Sequence, residues 1–359
     1  MNRHDEQAAG RGRAMGKQDN DLESLIYTDN APEGSVSITT ISYDGSRIDE
    51  QTQVLPESLP DLTLRPAVTW IDVDGVHDSD LLRMIGDALG IHPLTLEDIE
   101  NTRQRPKIED HGDYLYVAIR MFFPGSDGRF RSEQVSLVLG SRYVITFQER
   151  PGDLFDRIRE HLRAGTGRFR IAGEDYLFYA LLDTIIDGYF TVIEVFWERI
   201  EGIEEEVIAE PDQETLQAIY ALKRSLISFR RVVWPLRDVV VELERGESSL
   251  IGDATLVYFR DAYDHTIEVV EAVETYREMV SGTLDIYLSS QSSHMNEIMK
   301  VLTVIATIFI PITFIAEIYS MVFAYMPGVA HPWGYPAALT SMVAVAVVML
   351  IYFRKKGWI

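Results

Sequence analysis

Two apolar runs near the C-terminal end, residues 301–323 and 333–353, constrain the fold more than anything else in the chain. Each is long enough to cross a hydrocarbon core of about 30 Å as a helix. The outer loop between them, residues 324–332, is too short for a domain, so the runs predict a transmembrane hairpin whose far ends lie on one side. Lys300 precedes the first run and the basic segment 354–359, with Arg354, Lys355 and Lys356, follows the second. The positive-inside bias puts both ends in the cytoplasm. A multi-pass protein of the inner (plasma) membrane is expected, with N- and C-termini cytoplasmic.

The hairpin leaves roughly 300 residues for other structure, enough for one or two cytoplasmic domains. Cysteine is absent, which excludes a disulfide framework and thiolate metal sites. Residues 1–20 are polar, so no signal peptide is expected. A formal charge of -23 repels nucleic acid and anionic lipid and attracts cations, although solubility alone is the simpler reading of such a surface.

Residues 1–34 carry little apolar content and are expected to form a disordered tail. Gly10, Gly12 and Gly16 follow no strand and have the wrong spacing for a nucleotide loop. Alternation from Val36 and Ile38 and over 67–73, 114–121 and 135–147 predicts strands, with a hairpin turn at Gly140-Ser141. Helical spacing appears over 78–89, 94–101 and 154–162, so residues 35–170 read as a mixed α/β cytoplasmic domain. Long helices then take over, and the break at Pro211-Asp212 makes residues 171–250 a helical hairpin. Its first arm is rich in Glu (Glu198, Glu201, Glu204 to Glu206), its second in Lys and Arg, either a solvated face paired across the hairpin or a cation-collecting surface.

A stalk helix, residues 251–300, is expected to run into the first membrane span (301–323) with no proline before Pro311. About 70 residues at 1.5 Å each make a helix of roughly 105 Å. Such a helix needs partners along its length, and Leu256, Phe259, Tyr263, Val270, Val273, Val280, Leu284 and Tyr287 supply an amphipathic stripe for a bundle.

Two membrane helices per chain cannot enclose a water-filled path, so conduction would require an oligomer in which each subunit lends one helix to the axis. Asn296, Met299, Thr303, Ala306, Ile310, Thr313, Glu317 and Ser320 recur at steps of three and four, the period of a packed seam. Asn296, Thr303 and Thr313 offer oxygens suited to a hydrated cation, and Met299 and Ile310 suit apolar constrictions. The same spacing also suits a dry oligomerisation seam. Glu317 is an ionisable residue within the run, which either faces an aqueous path or snorkels to the outer interface.

These residues resemble the CorA magnesium and cobalt channels, from about Trp70 to the C-terminus. The likeness lies in Gly90-Ile-His-Pro-Leu-Thr-Leu-Glu-Asp98, Gln104-Arg-Pro-Lys107, Glu133-Gln-Val-Ser-Leu137, Trp234-Pro-Leu-Arg237, Tyr258-Phe-Arg-Asp261, residues 280–325 and Trp333-Gly-Tyr-Pro336. The resemblance implies an α+β cytoplasmic domain, long α-helices and a two-helix transmembrane hairpin, assembled as a funnel-shaped homopentameric channel in membrane lipid. The first membrane helix would line the pore and the second (333–353) would lie outside it. It implies that Asp98 and Asp261 form a regulatory metal pair bridging neighbouring subunits and closing the channel when internal Mg2+ is high. Asp285 then matches an acidic ring, Asn296 a hydrated-ion site, Met299, Leu302 and Ile310 the hydrophobic gate, and Thr313 an outer polar ring.

The chain departs from the family where the family is most distinctive. Gly-Met-Asn is replaced by Ser320-Met321-Val322, and Glu317 stands where glycine is usual. Val322 has no polar side-chain atom to offer a hydrated ion. The expected function is passive transport of Mg2+, with Co2+ or Zn2+ as altered selectivities, or a non-conducting sensor of divalent ions. An enzyme is not expected: no nucleophile with a base, phosphate loop or His-rich metal constellation is evident, the eight His residues are scattered, and His92 before Pro93 reads as a helix-start residue.

Overall fold

The computed structural model describes residues 25–27, 36–65, 67–125, 129–152, 154–209, 211–321 and 331–358. Its strands are β1 (Ile26–Tyr27), β2 (Ser37–Tyr43), β3 (Ile48–Thr52), β4 (Val68–Asp74), β5 (Lys107–Asp110), β6 (Tyr114–Pro124), β7 (Phe130–Gly140) and β8 (Tyr143–Gln148). Its α-helices are α1 (Leu59–Thr63), α2 (Ser79–Leu89), α3 (Pro93–Glu100), α4 (Asp156–Ala164), α5 (Glu174–Ala209), α6 (Gln213–Arg245), α7 (Asp253–Ser320) and α8 (Gly334–Lys355).

The strands form one mixed sheet in the order β3-β2-β4-β8-β7-β6-β5, with β1 added to β7. β4 pairs in parallel with β8 and β1 with β7, and the other pairs are antiparallel. Between β7 and β8 the turn falls on Ser141 and Arg142, with Arg142 at φ 68°. Gly140 is required beside it, because an added Cβ would collide with the Tyr143 ring. One sheet face buries Ile71, Val73, Val138, Ile145 and Phe147 with Leu59, Leu82, Ile85 and Ile99 of α1 to α3. On β4 the alternate residues Trp70 and Asp72 turn the other way: Trp70 meets Phe155 edge-on, and Arg159 of α4 pairs with Asp72.

Local signals explain the helix limits. Asp78 caps α2 by accepting from the Asp80 and Leu81 N–H groups, and Gly90 ends it in the left-handed conformation at φ 71°. His92 caps α3 ahead of Pro93 and accepts from Leu94, as its position before a proline led us to expect. Asp212 and Thr215 form a capping box that starts α6 directly after Pro211.

Several elements differ from the sequence expectations. The tail expected over 1–34 contains β1, whose neighbour Leu25 accepts from the Phe130 N–H at its carbonyl and donates its own N–H to Ser225 Oγ at 2.8 Å. Pairing with β7 orders a segment too short to order itself. β3 and β5 carry no apolar alternation because they are edge strands, β3 mostly exposed and β5 mostly half-buried; their partners β2 and β6 create them. The Pro-containing turn over Pro56–Ser58 and α1 also lacked a sequence signal.

The chain divides into two compact units, Met1–Glu206 with Asp212–Thr283, and Val207–Pro211 with Leu284–Ile359. The boundary thus falls inside α7 rather than between α/β domain, hairpin and stalk. Within the first unit the sheet and the hairpin share a core: Phe229 of α6 packs edge-on to Phe122 of β6 at 5.1 Å and to Tyr189 of α5 at 5.7 Å, and Tyr189 OH donates to the Arg120 carbonyl at 2.5 Å.

Among the described residues three helices are long and apolar enough to cross a membrane: α5, α7 and α8. The apolar window of α5 is 61% buried within the protein, whereas those of α7 and α8 are 6% and 11% buried. The apolarity of α5 is that of a core helix; the spans of α7 and α8 present theirs outward, as lipid-facing or partner-facing helices do.

Candidate cation sites and conduction stripe

Asp98 lies on the last turn of α3, half-buried, and both of its carboxylate oxygens are engaged. Oδ1 accepts from Gln104 Nε2 at 2.7 Å, and Oδ2 lies 2.5 Å from the Lys107 ammonium on β5. Lys107 also donates to Glu109 Oε1 at 2.9 Å and stands 5.6 Å from the centre of the Tyr116 ring. Burial pulls the Lys107 ammonium downward, but hydrogen bonds to Asp98 and Glu109 outweigh it and hold the pKa above its ordinary value. Burial likewise pushes Glu109 up, and Lys107 leaves it below the usual range. Gln134 ties the loop down: its side chain donates to the Asp98 carbonyl at 3.1 Å and accepts from the Gln104 N–H at 3.2 Å.

Asp261 is exposed on α7 and has different neighbours. One turn away on the same helix, His265 meets Asp183 and Asp187, themselves one turn apart on α5, and ligand atoms of the three lie within 4.8 Å of one another. His265 Nδ1 stands 4.0 Å from Asp183 Oδ1, and these two buried atoms have no hydrogen-bond partner. Burial and the neighbouring Asp187 charge push the Asp183 carboxyl up to about 6, with Asp261 adding to the effect. Burial and Asp183 likewise push the Tyr179 phenol upward, so it remains a neutral hydrogen-bond partner of Asp183. This donor set can hold a divalent cation, the carboxylates suiting magnesium and the imidazole adding preference for cobalt or zinc. The group adds Asp183, Asp187 and His265 to the candidate residues, none of which the sequence reading had singled out; with one His it is not the His-rich constellation whose absence was expected. Its signal was the pair of i, i+4 spacings Asp183/Asp187 and Asp261/His265, and nothing in the sequence said that α5 and α7 pair those faces.

Asp285, Asn296, Met299, Leu302, Thr303, Ile310, Thr313, Glu317, Ser320 and Met321 are all exposed in the single chain, and Ala306 is half-buried. Leu302 is 58% exposed and Ile310 67%, too much apolar surface for a helix facing water on that side. Thr303 Oγ1 donates to the Met299 carbonyl at 2.6 Å, Thr313 Oγ1 to Phe309 at 2.9 Å, and Ser320 Oγ to Glu317 at 2.9 Å. Each hydroxyl proton is thereby spent within the helix, and the oxygen lone pairs are left to accept from an outside donor. Pro311 lies inside α7, and lacking an N–H it leaves the Thr307 carbonyl without its helical donor. Val322 and the loop 322–330 lie outside the described residues, so the altered triplet is described only at Ser320 and Met321.

A family model described as CorA-like Mg2+ transporter protein matches residues 66–355. The cobalt/magnesium transport protein CorA of Thermotoga maritima is 44% identical over 338 residues, covering 94% of this chain and 96% of that protein. The protein of the same description in Methanocaldococcus jannaschii is 26% identical over 327 residues, covering 90% and 100%. The solved complete structure of the CorA magnesium transporter from Methanocaldococcus jannaschii has a TM-score of 0.75 at 24% identity, over 89% of this chain and 98% of that one.

Proposed function

This chain belongs to the CorA-like Mg2+ transporter family, and on that premise we propose that it is a homopentameric channel passing hydrated magnesium, and cobalt, into the cell. The observation that carries the reading is a single helix. α7 bears Asp261 and His265 and continues without interruption into the exposed stripe of Asn296, Thr303, Thr313 and Glu317. One hydrogen-bonded element therefore carries both cation-binding side chains and the residues that would line a shared axis.

Magnesium gives up its water slowly, so a path for it must handle the hydrated ion. The Asn296 amide and the Thr303 and Thr313 hydroxyl oxygens accept hydrogen bonds from that water shell. Met299, Leu302 and Ile310, brought together around an axis, exclude water when narrow and so gate by dewetting. Glu317 supplies a carboxylate ring at the outer mouth, raising local cation concentration where the family asparagine is missing. An inside-negative potential drives the ion: at about 2.3 kcal/mol per charge per 100 mV, a divalent cation gains about 4.6 kcal/mol.

In the cytoplasm, Asp98 of one subunit and Asp261 of the next, together with Asp183, Asp187 and His265, hold divalent cations when these are abundant. Carboxylates brought together repel unless a cation lies between them, so filled sites favour the closed assembly and empty sites release it. Magnesium uptake by vesicles containing only this protein tests the reading. Uptake should follow an inside-negative potential and fall when the cytoplasmic face is exposed to high magnesium. Replacing Asp98 and Asp261 together by Asn should abolish that inhibition and weaken magnesium's protection of the cytoplasmic part against protease. Magnesium-dependent protection without uptake would instead identify a non-conducting sensor, and uptake of zinc in preference to magnesium would assign the Ser320-Met321-Val322 change to altered selectivity.

A further inference from the structure

A sensor that reports a falling cation concentration must release its ion as readily as it captures it, and a fixed charge that competes with the ion for its ligand shifts the concentration at which that balance falls. At Asp98 the competitor is already present. The Lys107 ammonium lies against Oδ2 at 2.5 Å while Gln104 donates to Oδ1, so a metal arriving at either oxygen meets a partner already in place. Lys107 also has a second place to go. Glu109, two residues along β5, already shares it at 2.9 Å, and the Tyr116 ring lies beneath it. Glu109 is in turn 3.5 Å from His111 Nε2, so its position is held from the other side.

We propose that Lys107 is a tethered competitor for the divalent cation at Asp98, and that the Lys107–Glu109 pair sets the concentration at which the clamp closes. In the metal-free chain the ammonium neutralises Asp98. When a divalent cation arrives, the ammonium would repel it at this distance, so Lys107 gives up Asp98 Oδ2 and stays with Glu109 and the Tyr116 face. No charge is left unpaired in either state, because Glu109 carries the lysine whenever the metal carries Asp98. The exchange costs one charge-assisted hydrogen bond, which corresponds to about a tenfold weakening of cation binding relative to a site without the lysine. The same arrangement discriminates by charge. A monovalent cation offers Asp98 no more charge than the tethered ammonium does and lacks its fixed proximity, whereas a divalent cation offers twice as much. This inference rests on the reading of Asp98 as a clamp residue.

The test titrates magnesium against the full-length protein in detergent and reads the concentration giving half-maximal protection from protease, for the native chain and for Lys107→Gln, Lys107→Arg, Glu109→Gln and Asp98→Asn. Lys107→Gln should reach half-protection at about tenfold lower magnesium. Lys107→Arg keeps the charge and should stay near native. Glu109→Gln removes the lysine's alternative partner and should require several-fold more magnesium. A lysine that merely supports the fold would weaken binding in both neutral variants, so the opposite directions of Lys107→Gln and Glu109→Gln are the signature. If Lys107→Gln needs as much magnesium as the native chain or more while Asp98→Asn loses protection, Lys107 is not a competitor and only this inference fails. If Asp98→Asn protects like the native chain, the clamp reading itself fails. Should Lys107→Gln not fold, judged by its elution as the native assembly without magnesium, the other two variants decide. Glu109→Gln weakened beside a near-native Lys107→Arg supports the exchange, and Glu109→Gln unchanged or tightened overturns it.

Discussion

Glu133→Gln measures what a buried carboxylate without a partner costs the first unit. Glu133 lies on β7 opposite Met121, is 2% exposed, and neither side-chain oxygen has a hydrogen-bond partner. Burial, then the charge of Glu149, push its pKa from the ordinary 4.5 up to about 7; Arg131 and Arg150 oppose the rise and Asp74 adds to it. Because the folded value lies above the unfolded one, the native state holds this proton more tightly between the two. Stability contributed by the neutral form is present at and below about pH 4.5 and is lost as pH rises through about 7. The gap between 4.5 and about 7 corresponds to roughly 3 kcal/mol once the group is fully ionised. Glutamine has the shape of the neutral acid and cannot ionise. The difference in melting temperature between variant and native protein should therefore be smallest at and below about pH 4.5 and grow through neutrality. At pH 8 it should approach an upper bound of roughly 6–12 °C, at about 2–4 °C per kcal/mol for a unit of this size. Melting of the full-length protein in detergent, followed by circular dichroism at four pH values from 5 to 8, supplies the comparison. Asp183, whose raised value has no contribution from Glu133, titrates in both proteins and drops out of the difference. A gap that is constant with pH, or largest at pH 5, would refute the assignment of a strained, ionising Glu133.

Two further outcomes follow from the cation sites. Glu317→Gly should lower magnesium uptake in vesicles, and the same change combined with Ser320→Gly and Val322→Asn should restore it. Uptake by Glu317→Gly at or above the native rate would mean that the carboxylates obstruct the mouth or face elsewhere. His265→Ala should weaken protection by cobalt about tenfold while leaving magnesium protection nearly unchanged, because imidazole ligates cobalt well and magnesium poorly; equal loss for both ions would show that His265 only positions Asp183 and Asp187.

The two long apolar helices near the C-terminal end and the strands of the central sheet were legible because each rests on a pattern local to one segment. Residues 301–323 form one long apolar run, and β6 to β8 are rich enough in β-branched and aromatic residues to read as strands, although both of their faces are buried and the pattern does not say which face meets which layer. α5 shows the limit of that logic: by length and hydropathy it is a membrane candidate, and only its burial against α6 and the sheet identifies it as core. β3 and β5 could not be read at all, since an edge strand such as Ile48–Thr52 takes its conformation from the ladder beside it and not from its own residues.

The candidate cation sites divide along the same line. Periodicity along one helix sufficed to put Asn296, Thr303, Thr313 and Glu317 on a shared stripe, because a helix converts spacing directly into a face. The meeting of Asp183 and Asp187 with His265, and of Asp98 with Lys107, depends on how α5 packs on α7 and how β5 returns beside α3. Those contacts join residues that are distant along the chain or separated by a turn whose course depends on packing. Only the folded core, where Tyr179 and Phe190 of α5 meet Phe259 and His265 of α7 edge-on, brings those helix faces into register.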